Sequence, residues 1–120
     1  MTDIENEIKK MKFHISLIGE TLDYRNNPIP ALVIQMDWNE NDLDAAHDIF
    51  EKYDNMLEAK EEVNWRAFEM ELRKKFGIGY QTVKSIVLAF YRNHQWSEVC
   101  TLYARSCECV EFHEITRAKD

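Results

Sequence analysis

Glycine and proline are scarce in this chain, 3 and 2 of 120 residues, so few positions can end an element sharply or form the tight turns of a many-stranded sheet. Long helices with short connections are the expectation. Cysteine is also rare: Cys100, Cys107 and Cys109 are odd in number and fall within one predicted helix, where side chains two apart point away from each other. A disulfide framework is not indicated, and reduced thiols are expected. No apolar run approaches a membrane span. The N-terminal MTDIENEIKK has no secretory apolar core, and a cytoplasmic chain without membrane contact is expected.

What is present suits one globular domain spanning residues 1–120. Hydrophobic residues at 45% and charged residues at 31% describe an ordinary folded protein, and the length supports a core without staples. The net charge of −7 is unevenly spread. Asp37 to Glu62 holds ten acidic and two basic residues, whereas Val63 to His94 holds six basic and two acidic. Such polarity favours charged partners or head-to-tail contacts.

The first predicted helix starts near Asp3 and reaches about Tyr24. Ile4, Ile8, Met11, Ile15, Ile18 and Leu22 step 4-3-4-3-4 along it, a heptad seam with Glu5, Lys9, Lys10 and Lys12 off the line. Three heptads are marginal alone, so the seam needs a cover. Residues 1–26 therefore read as an arm that builds a homo-oligomer. Asn27-Pro28-Ile29-Pro30 breaks the chain, and Ala31–Met36 is a short apolar helix with Pro30 at its start.

Asn39 caps a third helix to about Lys60, with Trp38 placed to staple onto Leu43. Leu43, Ala46, Ile49, Phe50, Tyr53, Met56 and Leu57 point inward. Asp37, Glu40, Asp44, Asp48, Glu51 and Glu58 are left for solvent or for a basic protein partner. Asn64 repeats the capping device ahead of Trp65, Phe68, Leu72 and Phe76, and Gly77 stops that helix. Ile86-Val87-Leu88-Ala89-Phe90-Tyr91 is the longest apolar run. It reads as a helix apolar on most sides, which must be covered by its neighbours. Ser97 opens a last helix with Cys100, Tyr103, Cys107 and Val110 inward, and a polar flexible tail is predicted over residues 113–120. The fold class is all-α: a bundle of about five helices, plus the short one, around a central apolar helix.

The heptad-like first helix, the NPIPALVIQMDW segment, the acidic helix and LAFYRNHQWSEV together resemble the YhaI-like small proteins of Bacillus and its phages. The likeness covers roughly Ile8 to Tyr103 and rests on packing positions. It implies a helical fold, oligomerisation and a bacterial or phage origin, and carries over no catalytic residue or cofactor. Gly77-Ile78-Gly79 and the extended tail depart from that pattern.

Catalytic and metal readings find little support. His14, His47, His94 and His113 lie on different elements, and Gly77-Ile78-Gly79 lacks the strand and third glycine of a phosphate loop. Cys109 and His113, four apart, could share a zinc ion, but with Cys107 off that line no fourth ligand is evident. No enzyme activity, metal or cofactor is expected. The alternative is a nucleic-acid-binding regulator using the basic pair of helices over 64–94, through Arg66, Arg73, Lys74, Lys75 and Lys84. Against it stand an apolar would-be recognition helix and an overall charge that repels phosphate. The favoured reading is a small oligomer acting by protein–protein contact, such as a phage- or prophage-borne modulator of a host protein.

Overall fold

The computed structural model describes residues 2–23, 25–107 and 109–117. These form an all-α bundle, with no strand among the described residues: α1 (Thr2–Glu20), α2 (Pro28–Met36), α3 (Glu40–Glu58), α4 (Trp65–Phe76), α5 (Tyr80–Arg92), α6 (Ser97–Cys107), a 3-10 turn (Val110–Phe112) and α7 (His113–Thr116).

The caps follow the sequence closely. Asn39 Oδ1 accepts from the Asp42 amide at 2.9 Å while Asp42 Oδ2 accepts from the Asn39 amide at 3.0 Å, a reciprocal box. Asn64 Oδ1 accepts from the Arg66 and Ala67 amides at the start of α4. Gly77, at φ 60°, closes α4 in the left-handed conformation that glycine adopts without strain, and the Ile78 amide reaches back to the Arg73 carbonyl. Lys60 makes the corresponding turn after α3 at φ 58° without a glycine.

Several boundaries differ from expectation. α2 begins at Pro28 and not after Pro30. A proline within the first turn lacks only an amide that would have had no intrahelical partner, so both prolines fit there. α6 stops at Cys107, which removes Val110 from the inward stripe and leaves it 75% exposed. The chain then turns back, and Phe112 and Ile115 enter the core in its place. The predicted tail is thus helical over His113–Thr116, while residues 118–120 lie outside the described residues. The predicted end of the first helix at Tyr24 also falls outside them; α1 ends at Glu20, so Leu22, the sixth seam residue, lies beyond the helix and faces the notch at the body.

The core is a connected set of aromatic rings. Phe50 of α3 meets Phe68 of α4 edge-on at 5.1 Å and Phe90 of α5 at 4.7 Å. Phe68 continues to Tyr103 of α6 at 5.1 Å, and Tyr103 to Phe112 at 5.7 Å. These separations are those of favourable aromatic pairs. α5 packs against α2, α4, α6 and the 3-10 turn and buries Val83, Lys84, Ile86, Val87, Ala89 and Phe90. Outside the ring set, Trp38 packs on Phe76 at 4.6 Å, joining the entry of α3 to the end of α4.

Candidate interaction surface

Among the described residues, α1 is open to solvent along most of its length. Ile4, Ile8, Met11, Ile15 and Ile18 are between 42% and 63% exposed, and Phe13 and Leu17 are exposed with them. By contrast, α3 to α6 bury their apolar stripes almost completely. α1 meets the body at its C-terminal end. There a methyl built on Gly19 would lie 3.9 Å from Ile34 of α2, and Gly19, Leu22, Ala31, Ile34 and Gln35 line a notch of about 190 Å³. Ile34, itself 50% exposed, extends the apolar surface from the arm onto the body.

The molecule's dimensions record the same arrangement. A compact domain of this length has a radius of gyration of about 14 Å, but the value here is 16.8 Å, with extents of 58 × 28 × 23 Å. A 19-residue helix is about 28 Å long, which accounts for the excess along the long axis. The five half-exposed aliphatic seam residues offer on the order of 500 Å² per chain. Two chains would then remove on the order of 1,000 Å² from water, the lower bound for a specific interface.

The predicted acidic residues are all at the surface. Asp37, Glu40, Asp44, Asp48, Glu51 and Glu58 are exposed, and the five on α3 form one stripe opposite Ala46, Phe50 and Tyr53. None of the six takes part in an ion pair among the described residues. On the basic side, Arg66, Lys74 and Lys75 are exposed and Arg73 is half-buried.

Lys84 is not with them. Its side chain is 3% exposed, facing inward from α5 against the C-terminal turn, and the nucleic-acid face loses this residue. Its Nζ donates to the Tyr80 hydroxyl at 3.0 Å and lies 3.4 Å from Glu111 Oε2. It also stands 4.2 Å from the centre of the Tyr80 ring. Burial alone would lower its pKa, but the Tyr80 hydrogen bond and the negative charge of Glu111 outweigh it and raise it. Lys84 therefore stays charged and ties α5 to the segment after α6. Periodicity could not reveal this, because the partners arrive only when the chain doubles back.

Other polar groups are also engaged in holding elements together. Arg92 donates to both carboxylate oxygens of Glu114, at 3.1 and 2.6 Å, a fork that fixes α7 to α5. This pair sits in a cleft of about 430 Å³ with Arg25, His94 and Thr101, so its guanidinium is already taken. Trp96 Nε1 donates to His47 Nδ1 at 3.0 Å, and Tyr103 Oη donates to Glu69 at 2.8 Å. Cys109 precedes the 3-10 turn and is not on a helix with His113, so the four-residue spacing does not place them on one helical face. Among the described residues, no three His, Cys, Asp or Glu side chains come together as metal ligands, and no helix is long and apolar enough to cross a membrane.

No family model, curated protein or solved structure matches the chain.

Proposed function

We propose that this protein is a non-enzymatic, cytoplasmic homo-oligomer that acts by protein–protein contact, with α1 as its assembly arm. The observation that carries this reading is the contrast between a sealed core and a helix whose every large apolar residue is open to water. A patch of this size is at the upper end of what soluble monomers expose, where it commonly marks an interaction site. A lone helix of α1's length is marginal in water, and a partner on the seam supplies the burial that would hold it. Sedimentation tests the reading: the full chain should run as an oligomer, and Ile8→Asp or Ile15→Asp should reduce it to folded monomer. A wild-type chain that is monomeric at every concentration would end it.

We further infer that α5 serves as the scaffold of the body and that the α3 stripe (Glu40, Asp44, Asp48, Glu51 and Glu58, with Asp37 beside it) docks a basic surface on another protein. The resemblance to YhaI-like proteins suits a phage- or prophage-borne modulator of a host factor. A nucleic-acid role for the 64–94 helix pair is the weaker alternative, since α5 keeps Lys84 and its apolar residues inside. A mobility shift that weakened steeply with salt and vanished in Lys74→Glu/Lys75→Glu would favour that alternative instead.

A further inference from the structure

The order of charges along α1 goes further than self-association, and we propose that the arms pair with a second copy of this chain in parallel and in register. This rests on the assembly role given to α1 above. With Ile8 and Ile15 at the a positions and Ile4, Met11 and Ile18 at the d positions, Glu7 falls at g and Lys12 at e. These positions flank the seam on opposite sides. In a parallel pair, each g residue faces the e residue five positions on in the partner helix. Glu7 of each chain then meets Lys12 of the other, twice by symmetry, while every apolar layer stacks on its own equivalent.

The antiparallel alternative pairs Ile8 with Ile18 and Ile15 with Met11 but leaves Ile4 without a layer, since Leu22 lies beyond α1 and against the body. Its flanking contacts are e with e and g with g, so Lys12 faces Lys12 and His14 faces His14. It also lays the acidic end of one arm, Asp3, Glu5 and Glu7, beside Glu20 and Asp23 of the other, at the negative end of the helix dipole. Shifting the register until Glu5 meets Lys12 leaves Ile18 uncovered instead. Only the parallel arrangement satisfies both the seam and the charges.

Within its own chain Glu7 lies 3.6 Å from Lys10, a loose contact between two exposed side chains, and it remains open to a cross-chain partner. A membrane surface is a poorer occupant. Phe13 and Leu17 project from the side opposite the seam, so α1 has no single apolar face to lay on lipid. Its acidic residues also outnumber its lysines, whereas interfacial helices are rich in lysine and arginine on the polar face.

The sign of one substitution separates the two orientations. In the full chain, Lys12→Gln should weaken association about threefold if Lys12 meets Glu7, whereas it should strengthen association if Lys12 meets Lys12. Glu7→Lys and Lys12→Glu should each weaken association about tenfold, and the double exchange should restore it. Met11→Cys should form a disulfide with its own equivalent on mild oxidation, located by peptide mapping to exclude the native cysteines. An oligomer that Ile8→Asp dissociates, but that Lys12→Gln tightens and Met11→Cys does not cross-link, would overturn the parallel register and leave the assembly role standing. A wild-type monomer would remove both. Monomeric binding to anionic phospholipid vesicles without self-association would also overturn the proposal.

Discussion

Single residues in this fold carry backbone strain and buried charge that can be tested separately. Gly77 and Lys60 hold nearly the same left-handed conformation after α4 and α3, at φ 60° and 58°, yet only one of them is glycine. A Cβ on Gly77 would meet nothing within 4 Å, so Gly77→Ala should cost about 1 kcal/mol through backbone conformation alone. Lys60 is exposed, and Lys60→Gly should stabilise by up to about 1 kcal/mol; urea unfolding of both variants measures the pair. The buried acids predict behaviour at high pH. Burial, with the negative charge of Glu71 second, pushes the Tyr53 hydroxyl from 10.0 to about 12. Burial likewise pushes the Cys100 thiol from 9.0 to about 12 and raises Tyr103 as well. These groups ionise in the unfolded chain before they do so in the folded one. Their stabilisation is therefore full below about pH 9 and lost as pH rises towards 12. Denaturant midpoints should fall across that window, and a flat profile would contradict the burial of these groups. At the acid end the sign reverses. The Arg92 hydrogen bond holds the Glu114 carboxyl below its ordinary 4.5, so this contribution is present above about pH 4.5 and lost as pH falls through the lowered value. Glu114→Gln should cost about 0.5–1 kcal/mol at neutral pH and flatten the acid limb of the stability profile.

Among the elements, α1 and α5 are both rich in apolar residues but differ in what surrounds them. α5 buries six of its residues, and truncating the ring that packs on its Phe90, as in Phe50→Ala, should cost about 3–5 kcal/mol and threaten the fold. α1 contributes nothing to the buried core. Removing residues 1–20 should therefore leave the thermal midpoint of the body within a few degrees of the full chain's monomeric variants. The same deletion should abolish self-association in sedimentation. Loss of folding on that deletion would mean that α1 packs on its own chain.

For the molecule as a whole, the seam also bears on copy number. A two-chain seam of this area reaches about the lower bound of a stable interface, so association should depend on concentration. Light scattering should find twice the 14.3 kDa chain mass, falling to one chain in Ile15→Asp. In such an assembly the arms share one axis and the bodies cluster at its C-terminal end, each with its α3 stripe turned to solvent. An array of acidic faces would bind a basic partner more tightly than one face does, because the second contact is made at high effective concentration.

The helices, their caps and the seam were legible in the sequence because each rests on local chemistry. Asn39 and Asn64 satisfy amides two or three residues away, Gly77 supplies a positive φ, and a 4-3 spacing puts five side chains on one side of α1 whatever lies beyond it. The exposed acidic stripe on α3 was readable for the same reason. Tertiary structure alone decided where Lys84 points, where α6 stops and that Phe112 and Ile115 belong to the core. Each of these depends on the chain folding back after Cys107, and the gain comes from contacts between residues far apart in sequence. It also decided that the body leaves the seam of α1 uncovered, since a helix's own pattern shows that a face needs burial but not whether the same chain provides it.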